Sequence, residues 1–96
     1  MPLTTEGLIE ELQRFRSDKL ALVALVGSMA EESEAQALVR LRELIGILEN
    51  HLTEARSKHR GRLGDADHLA SDVLGLAKEI EPWLSSLVER SEKVAC

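Results

Sequence analysis

Aromatic side chains are nearly absent from this sequence: Phe15 and Trp83 are the only two, and there is no tyrosine. Strands favour aromatic and β-branched residues, whereas leucine, alanine, glutamate, lysine and arginine favour helices. We therefore predict an all-α fold.

Cysteine is scarcer still, because Cys96 is the only one. An internal disulfide is thereby excluded, and a single cysteine is typical of a protein in a reducing compartment. A thiol at the chain end also lacks the pocket that activates a catalytic cysteine. These observations predict a cytoplasmic protein without a thiol nucleophile.

Long apolar runs are missing, since none approaches the roughly 20 residues that span a bilayer. The apolar segment 20–30 is similar to the core of a signal peptide, but the residues before it are acidic rather than basic. The chain has 17 acidic and 12 basic residues. An excess of acidic residues disfavours binding to anionic membranes and general binding to nucleic acid, because like charges repel.

Motifs of catalysis and metal binding are missing as well. The sequence contains no G-x-G-x-x-G, no P-loop, no G-x-S-x-G and no H-E-x-x-H. Asp65 and His68 come closest to the Glu-x-x-His pair of di-metal bundles, but they lie at a predicted helix start. We predict that the chain is not an enzyme and has no cofactor, no metal and no small-molecule substrate.

Apolar residues recur at alternating spacings of three and four, the heptad pattern of helices that pack side by side. We call each such row a seam. The first seam contains Leu8, Leu12, Phe15, Lys19, Leu22, Val26 and Met29; the second contains Leu38, Leu41, Ile45, Leu48, Leu52, Ala55 and His59; the third contains Leu69, Val73, Leu76, Ile80, Trp83 and Leu87. These seams predict helices over about 5–26, 34–60 and 66–92 in a single domain, 1–96, with a frayed C-terminal tail.

The segments between the helices predict how they are connected. Ser33 and Gln36 match a capping box, and Gly61 fits the C′ position after a helix. Such short connections predict an antiparallel, up-down-up three-helix bundle with coiled-coil-like packing. Pro82 is expected to kink or split the third helix, and Gly46 to mark a close helix crossing or a bend.

The second connection carries the densest positive charge. Its cationic and imidazole side chains, which we call the basic corner, are Arg56, Lys58, His59, Arg60, Arg62 and His68. Cations complement the negative end of a helix dipole, and this structural explanation stays open beside a functional one. The first connection is acidic, with Glu31, Glu32 and Glu34. The functional explanation is an acidic partner, which includes the acidic connection of another copy.

The apolar residues around the lone tryptophan are a second candidate site. If that face is exposed, Trp83, Leu84, Leu87 and Val88 would form a hot spot of the kind that anchors protein interfaces. The seams and their flanks also carry more apolar surface than three helices need, so dimerisation would complete the bundle.

Together these features predict a noncatalytic helical module for protein–protein interaction, such as an adaptor, a small chaperone or an assembly factor. We expect it to bind a protein partner or itself, as a homodimer, through apolar helix faces and the basic turn. The alternative is a regulator that binds anions or nucleic acid through the cations between Arg56 and Arg62.

Overall fold

The protein is described by a computed structural model that covers the backbone of residues 5–95 and the side chains of residues 6–90; Cys96 lies outside them. The chain forms three helices, α1 (Thr5–Ser28), α2 (Glu34–Lys58) and α3 (Asp65–Ala95). Each helix packs against the other two, and residues 5–95 contain no strand. The prediction of an all-α protein with three packed helices is confirmed.

The helix bounds differ from the predicted ones by a few residues. The first helix continues through Gly27 to Ser28, and the second ends at Lys58 rather than at residue 60. The third extends to Ala95, so it includes most of the tail that was expected to fray. Pro82 lies inside α3. No separate fourth helix begins at Pro82, whereas a kink there stays a prediction.

The first connection begins α2 as the sequence predicted. The hydroxyl of Ser33, which is the N-cap, accepts a hydrogen bond from the backbone N–H of Gln36 at 3.2 Å. This bond satisfies one of the backbone donors that a helix leaves unpaired in its first turn.

The second connection ends α2 in a way that corrects one prediction. His59 is the C-cap, and Arg60 rather than Gly61 occupies the C′ position, with a left-handed φ of 54°. The N–H of Gly61 donates to the carbonyl of Arg56 at 2.8 Å, which is the outer bond of a Schellman motif. Because His59 rather than Arg60 is the C-cap of α2, the glycine follows the C′ position instead of occupying it.

The core consists of two clusters along an elongated molecule of 57 × 20 × 15 Å. One cluster is centred on Leu41 and Leu48, and the other on Phe15 and Leu63. Leu63 is fully buried, so its side chain anchors the second connection to the core. The helix α2 turns its predicted seam inward. Gly46 is exposed and a Cβ there would meet no atom within 4 Å, so the predicted close crossing is wrong.

On α1 and α3 the buried row coincides with the predicted seam only in part, at Phe15, Leu22 and Val73. The buried row of α1 contains Glu11, Phe15, Asp18, Leu22 and Leu25, and that of α3 contains Ala66, Ala70, Val73, Ala77 and Leu84. On α3, the predicted seam residues Leu76 and Trp83 are 51% and 57% exposed. On α1, the seam residues Lys19 and Val26 are exposed. Each of these two helices therefore leaves part of its predicted seam outside the core.

Candidate functional site

An open apolar groove lies between α1 and α3 and encloses about 550 Å³. Its lining residues come from those two helices and are Lys19, Leu22, Val23, Val26, Leu69, Asp72, Val73, Leu76 and Ile80. Leu22 and Val73 are buried and form the floor, while Val23, Val26 and Leu76 are about half exposed and form the rims. We call this surface the α1–α3 groove.

The groove follows from the choice of core rows. The buried row of α3 is rich in alanine, so the larger side chains Leu69 and Leu76 lie beside the core instead of inside it. On α1, Val23 and Val26 lie in the same way beside the buried Leu22 and Leu25. Apolar rims over an apolar floor present to solvent the type of surface that proteins usually bury in an interface.

The charges in the groove are few and unpaired. Lys19 on α1 and Asp72 on α3 are its only charged lining residues. Neither forms an ion pair with any other residue whose side chain is described. Within that part of the chain, no ion pair joins α1 to α3. The groove side of the molecule is thus the side that no salt bridge crosses.

The other two helix interfaces are crossed by polar pairs. Between α1 and α2, His59 Nε2 lies 3.2 Å from Glu11 Oε1, and His51 Nδ1 lies 2.8 Å from Asp18 Oδ2. Between α2 and α3 the pairs are Arg56 with Asp67, Arg42 with Glu81 and Lys78 with Glu49. These pairs are structural contacts within the chain, and they fix the helices around the groove.

The basic corner is smaller than the sequence predicted. His59 is buried against Glu11, and the guanidinium of Arg56 donates two hydrogen bonds to the carboxylate of Asp67, at 2.7 and 3.0 Å. His59 is therefore not part of an exposed basic corner, because α1 covers its ring. The remaining members, which are all exposed, are Lys58, Arg60, Arg62 and His68.

Because of the Arg56–Asp67 pair, we expect the free energy of unfolding to decrease at acid pH. The hydrogen bonds from Arg56 hold the pKa of the Asp67 carboxyl below its ordinary value of 3.8. A carboxyl whose pKa is lower in the folded than in the unfolded state stabilises the fold at pH values above its ordinary pKa. This stabilisation is lost as the pH falls through the pKa of the folded state. We expect wild type to be more stable than Arg56→Gln at pH ~7, and the difference to shrink below about pH 3.

Urea unfolding at the two pH values measures this difference. Arg62→Gln is the matched control, because Arg62 is exposed and has no ion-pair partner among the described side chains. The control should show no comparable change with pH. An Arg56→Gln deficit of equal size at both pH values would contradict the account.

The predicted apolar face is divided between core and surface. Leu84 is fully buried in the core, so it cannot contact a partner in this structure. Leu87 and Val88 are partly buried and pack against the same core cluster. Trp83 alone is widely exposed. The four residues therefore do not form one surface, because Leu84 points inward where Trp83 points outward.

Glu11, Asp18 and the groove residues were not among the predicted site residues. A signal for the acids was present: they are seven residues apart and share a heptad row with Phe15 and Leu22. For the groove, the signal was Lys19 in a predicted seam, since a charged side chain is rarely placed in a core.

Other kinds of site lack support in the part of the chain that the structure describes. It contains no group of three or more histidine, cysteine or acidic side chains that could hold a metal ion. It also contains no helix that is both long and apolar enough to cross a membrane. No known protein family, curated protein or solved structure matches this chain.

Proposed function

We propose that this protein is a noncatalytic helical interaction module that binds an amphipathic helix in the α1–α3 groove. The observation that carries the proposal is the groove itself, an open apolar channel whose rims Val23, Val26 and Leu76 are about half exposed. An amphipathic helix can lay its apolar face into a hydrophobic groove of this kind. Such a module would serve as an adaptor, a small chaperone or an assembly factor. The basic turn, now reduced to Lys58, Arg60 and Arg62, would contact acidic side chains of the partner outside the groove.

The direction of the helices suits this function. Glu11 pairs with His59, and the later residue Asp18 pairs with the earlier residue His51. A later residue of α1 thus pairs with an earlier residue of α2, which supports an antiparallel arrangement of these two helices. The pairs between α2 and α3 show the same reversal, since Arg56 pairs with Asp67 and the earlier Arg42 pairs with the later Glu81. In an up-down-up bundle α1 and α3 run parallel, so their rims form a straight channel. The lone cysteine keeps the cytoplasm as the proposed compartment.

The spacing of the groove residues fits a helix as the ligand. Leu69, Leu76 and Ile80 are separated by seven and four residues, and Lys19, Val23 and Val26 by four and three. These are heptad spacings, and side chains placed in this way receive the knobs of a helix packed at about 8–10 Å. A fourth helix would therefore continue the coiled-coil-like packing of the bundle.

A labelled probe peptide tests the proposal with the purified chain. The probe is an amphipathic helix with leucine at heptad positions, and binding is measured by fluorescence anisotropy. Leu76→Asp should weaken binding at least about tenfold, because it places a charge in an apolar contact that would become desolvated. Ile47→Asp is the matched control, since Ile47 is about equally exposed but lies on α2 outside the groove. Equal losses in both variants would reject the groove as the binding surface.

A second candidate function keeps its supporting observation in Lys58, Arg60 and Arg62. These cations are exposed and have no ion-pair partner among the described side chains. If these cations contact three phosphates, the logarithm of the binding constant should fall with the logarithm of the salt concentration with a slope of about −3. If phosphates are the ligand, duplex and single-strand probes should bind with about this slope at most, and the salt dependence should be lost in Arg60→Glu/Arg62→Glu. An affinity that does not fall as salt is raised would reject the anion or nucleic-acid regulator.

A further inference from the structure

We propose that the α1–α3 groove is covered by α1 and α3 of a second copy of this chain, whose own groove is covered in return, so that the two molecules form a symmetric dimer. The inference rests on the proposed function and names its partner. It starts from the two charges of the groove, Lys19 on α1 and Asp72 on α3, which no described side chain neutralises. An interface that covers this groove must neutralise both charges or bury them unpaired.

A second copy supplies both countercharges at once. In a two-fold interface the same surface is used by both molecules, so if one residue contacts a second, the second contacts the first across the axis. Lys19 then faces the partner's Asp72, and Asp72 faces the partner's Lys19. An unrelated helix would need one acid and one base at matching positions, whereas the second copy has them by symmetry.

The apolar parts of the groove are self-complementary in the same arrangement. Val23 and Val26 on α1 would pack against the partner's Leu76 and Ile80 on α3, and the converse contacts follow from the axis. A stable interface buries about 800 Å² on each partner. One long side of a molecule of 57 × 20 Å is large enough to supply that area. Exposed Leu20, beside the rim, would extend the contact.

Charge reversal tests this arrangement by sedimentation equilibrium of the full chain. Wild type should dimerise, and Lys19→Asp and Asp72→Lys should each raise the dimer Kd at least about tenfold, because each creates two like-charge contacts. When the two variants are mixed, both contacts across the axis again join an acid to a base, so a heterodimer of about wild-type affinity should form. Glu10→Lys and Glu89→Lys are the matched controls, because both residues are exposed on the same two helices but on faces that point away from the groove.

Each outcome has a definite meaning. Restoration of the dimer in the mixture, with unchanged controls, supports the second copy. A chain that is monomeric across the micromolar range, or a dimer that is insensitive to both reversals, overturns it. A monomer that still binds the probe helix through Leu76 overturns only the second copy and leaves the proposed function. Thermal unfolding of each variant checks that it folds, which is expected because Lys19 and Asp72 are exposed.

Discussion

His59→Leu is expected to lower the free energy of unfolding by about 3 kcal/mol or more, because it leaves the carboxylate of Glu11 buried without its partner. The Glu11 side chain is only 2% exposed, and its Oε2 atom already has no hydrogen bond. The remaining ion-pair contact of Glu11 is with Arg14, whose Nη1 lies 3.7 Å from Glu11 Oε2 on an exposed side chain. Urea unfolding followed by circular dichroism measures the loss.

The double variant Glu11→Leu/His59→Leu separates two contributions to the free energy of unfolding. One is the loss from leaving Glu11 buried without a partner, and the other is the stabilisation by the Glu11–His59 contact itself. Replacing a buried polar pair by apolar residues of similar size is often neutral or stabilising. We therefore expect the double variant to recover most of the stability lost in His59→Leu. His68→Leu is the control, because His68 is exposed, and it should change stability by no more than about 0.5 kcal/mol. A double variant as unstable as the single one would contradict this explanation.

Leu84→Ala is expected to cost about 2–5 kcal/mol of unfolding free energy, the usual range for a leucine truncated in a packed core. Leu84 is fully buried, and its neighbour Trp83 is 57% exposed. Trp83→Ala should therefore cost about 1 kcal/mol or less. Urea unfolding of the two variants measures the contrast between adjacent residues. Comparable losses would show that the two side chains are not divided between core and surface.

The core face of α2 could be predicted from the sequence because only one of its rows is consistently apolar. Leu38, Leu41, Leu48 and Leu52 are buried as expected. The residues that flank this row include the charged Arg42 and Glu49, which could not compete for the core. Ser33 at the N-cap was equally readable, because capping depends on residues three positions apart.

The core face of α1 could not be read because two rows share every seventh residue. Phe15 and Leu22 belong both to the predicted row with Lys19 and to the observed row with Asp18. Sequence reasoning avoids buried acids, because an unpaired one is costly. The compensation for Asp18 comes from His51, which is 33 residues away on α2. Such a long-range pairing is not visible in local spacing.

The core face of α3 was misassigned for a reason of size. Leu76 and Ala77 are neighbours on α3 and point in different directions, so the core can bury only one of them fully. Burying the leucine removes more apolar surface from water, and sequence reasoning therefore favours Leu76 as the core residue. Ala77 is buried and Leu76 is half exposed. Because small side chains let helix backbones approach closely, the three-helix core can favour alanine there and leave the leucine beside it. The α3 rim of the groove could not be predicted for the same reason, since Leu76 is a residue that the core left outside.

Methyl NMR of the chain bound to the probe helix tests most directly whether the α1–α3 groove is the binding surface. With labelled valine, leucine and isoleucine methyl groups, the account predicts intermolecular NOEs to Val23, Val26 and Leu76, which are groove residues. It predicts none to Val39 or Ile47, which are similarly exposed on α2. NOEs confined to the α2 residues, with no contact to the groove methyls, would contradict the central claim.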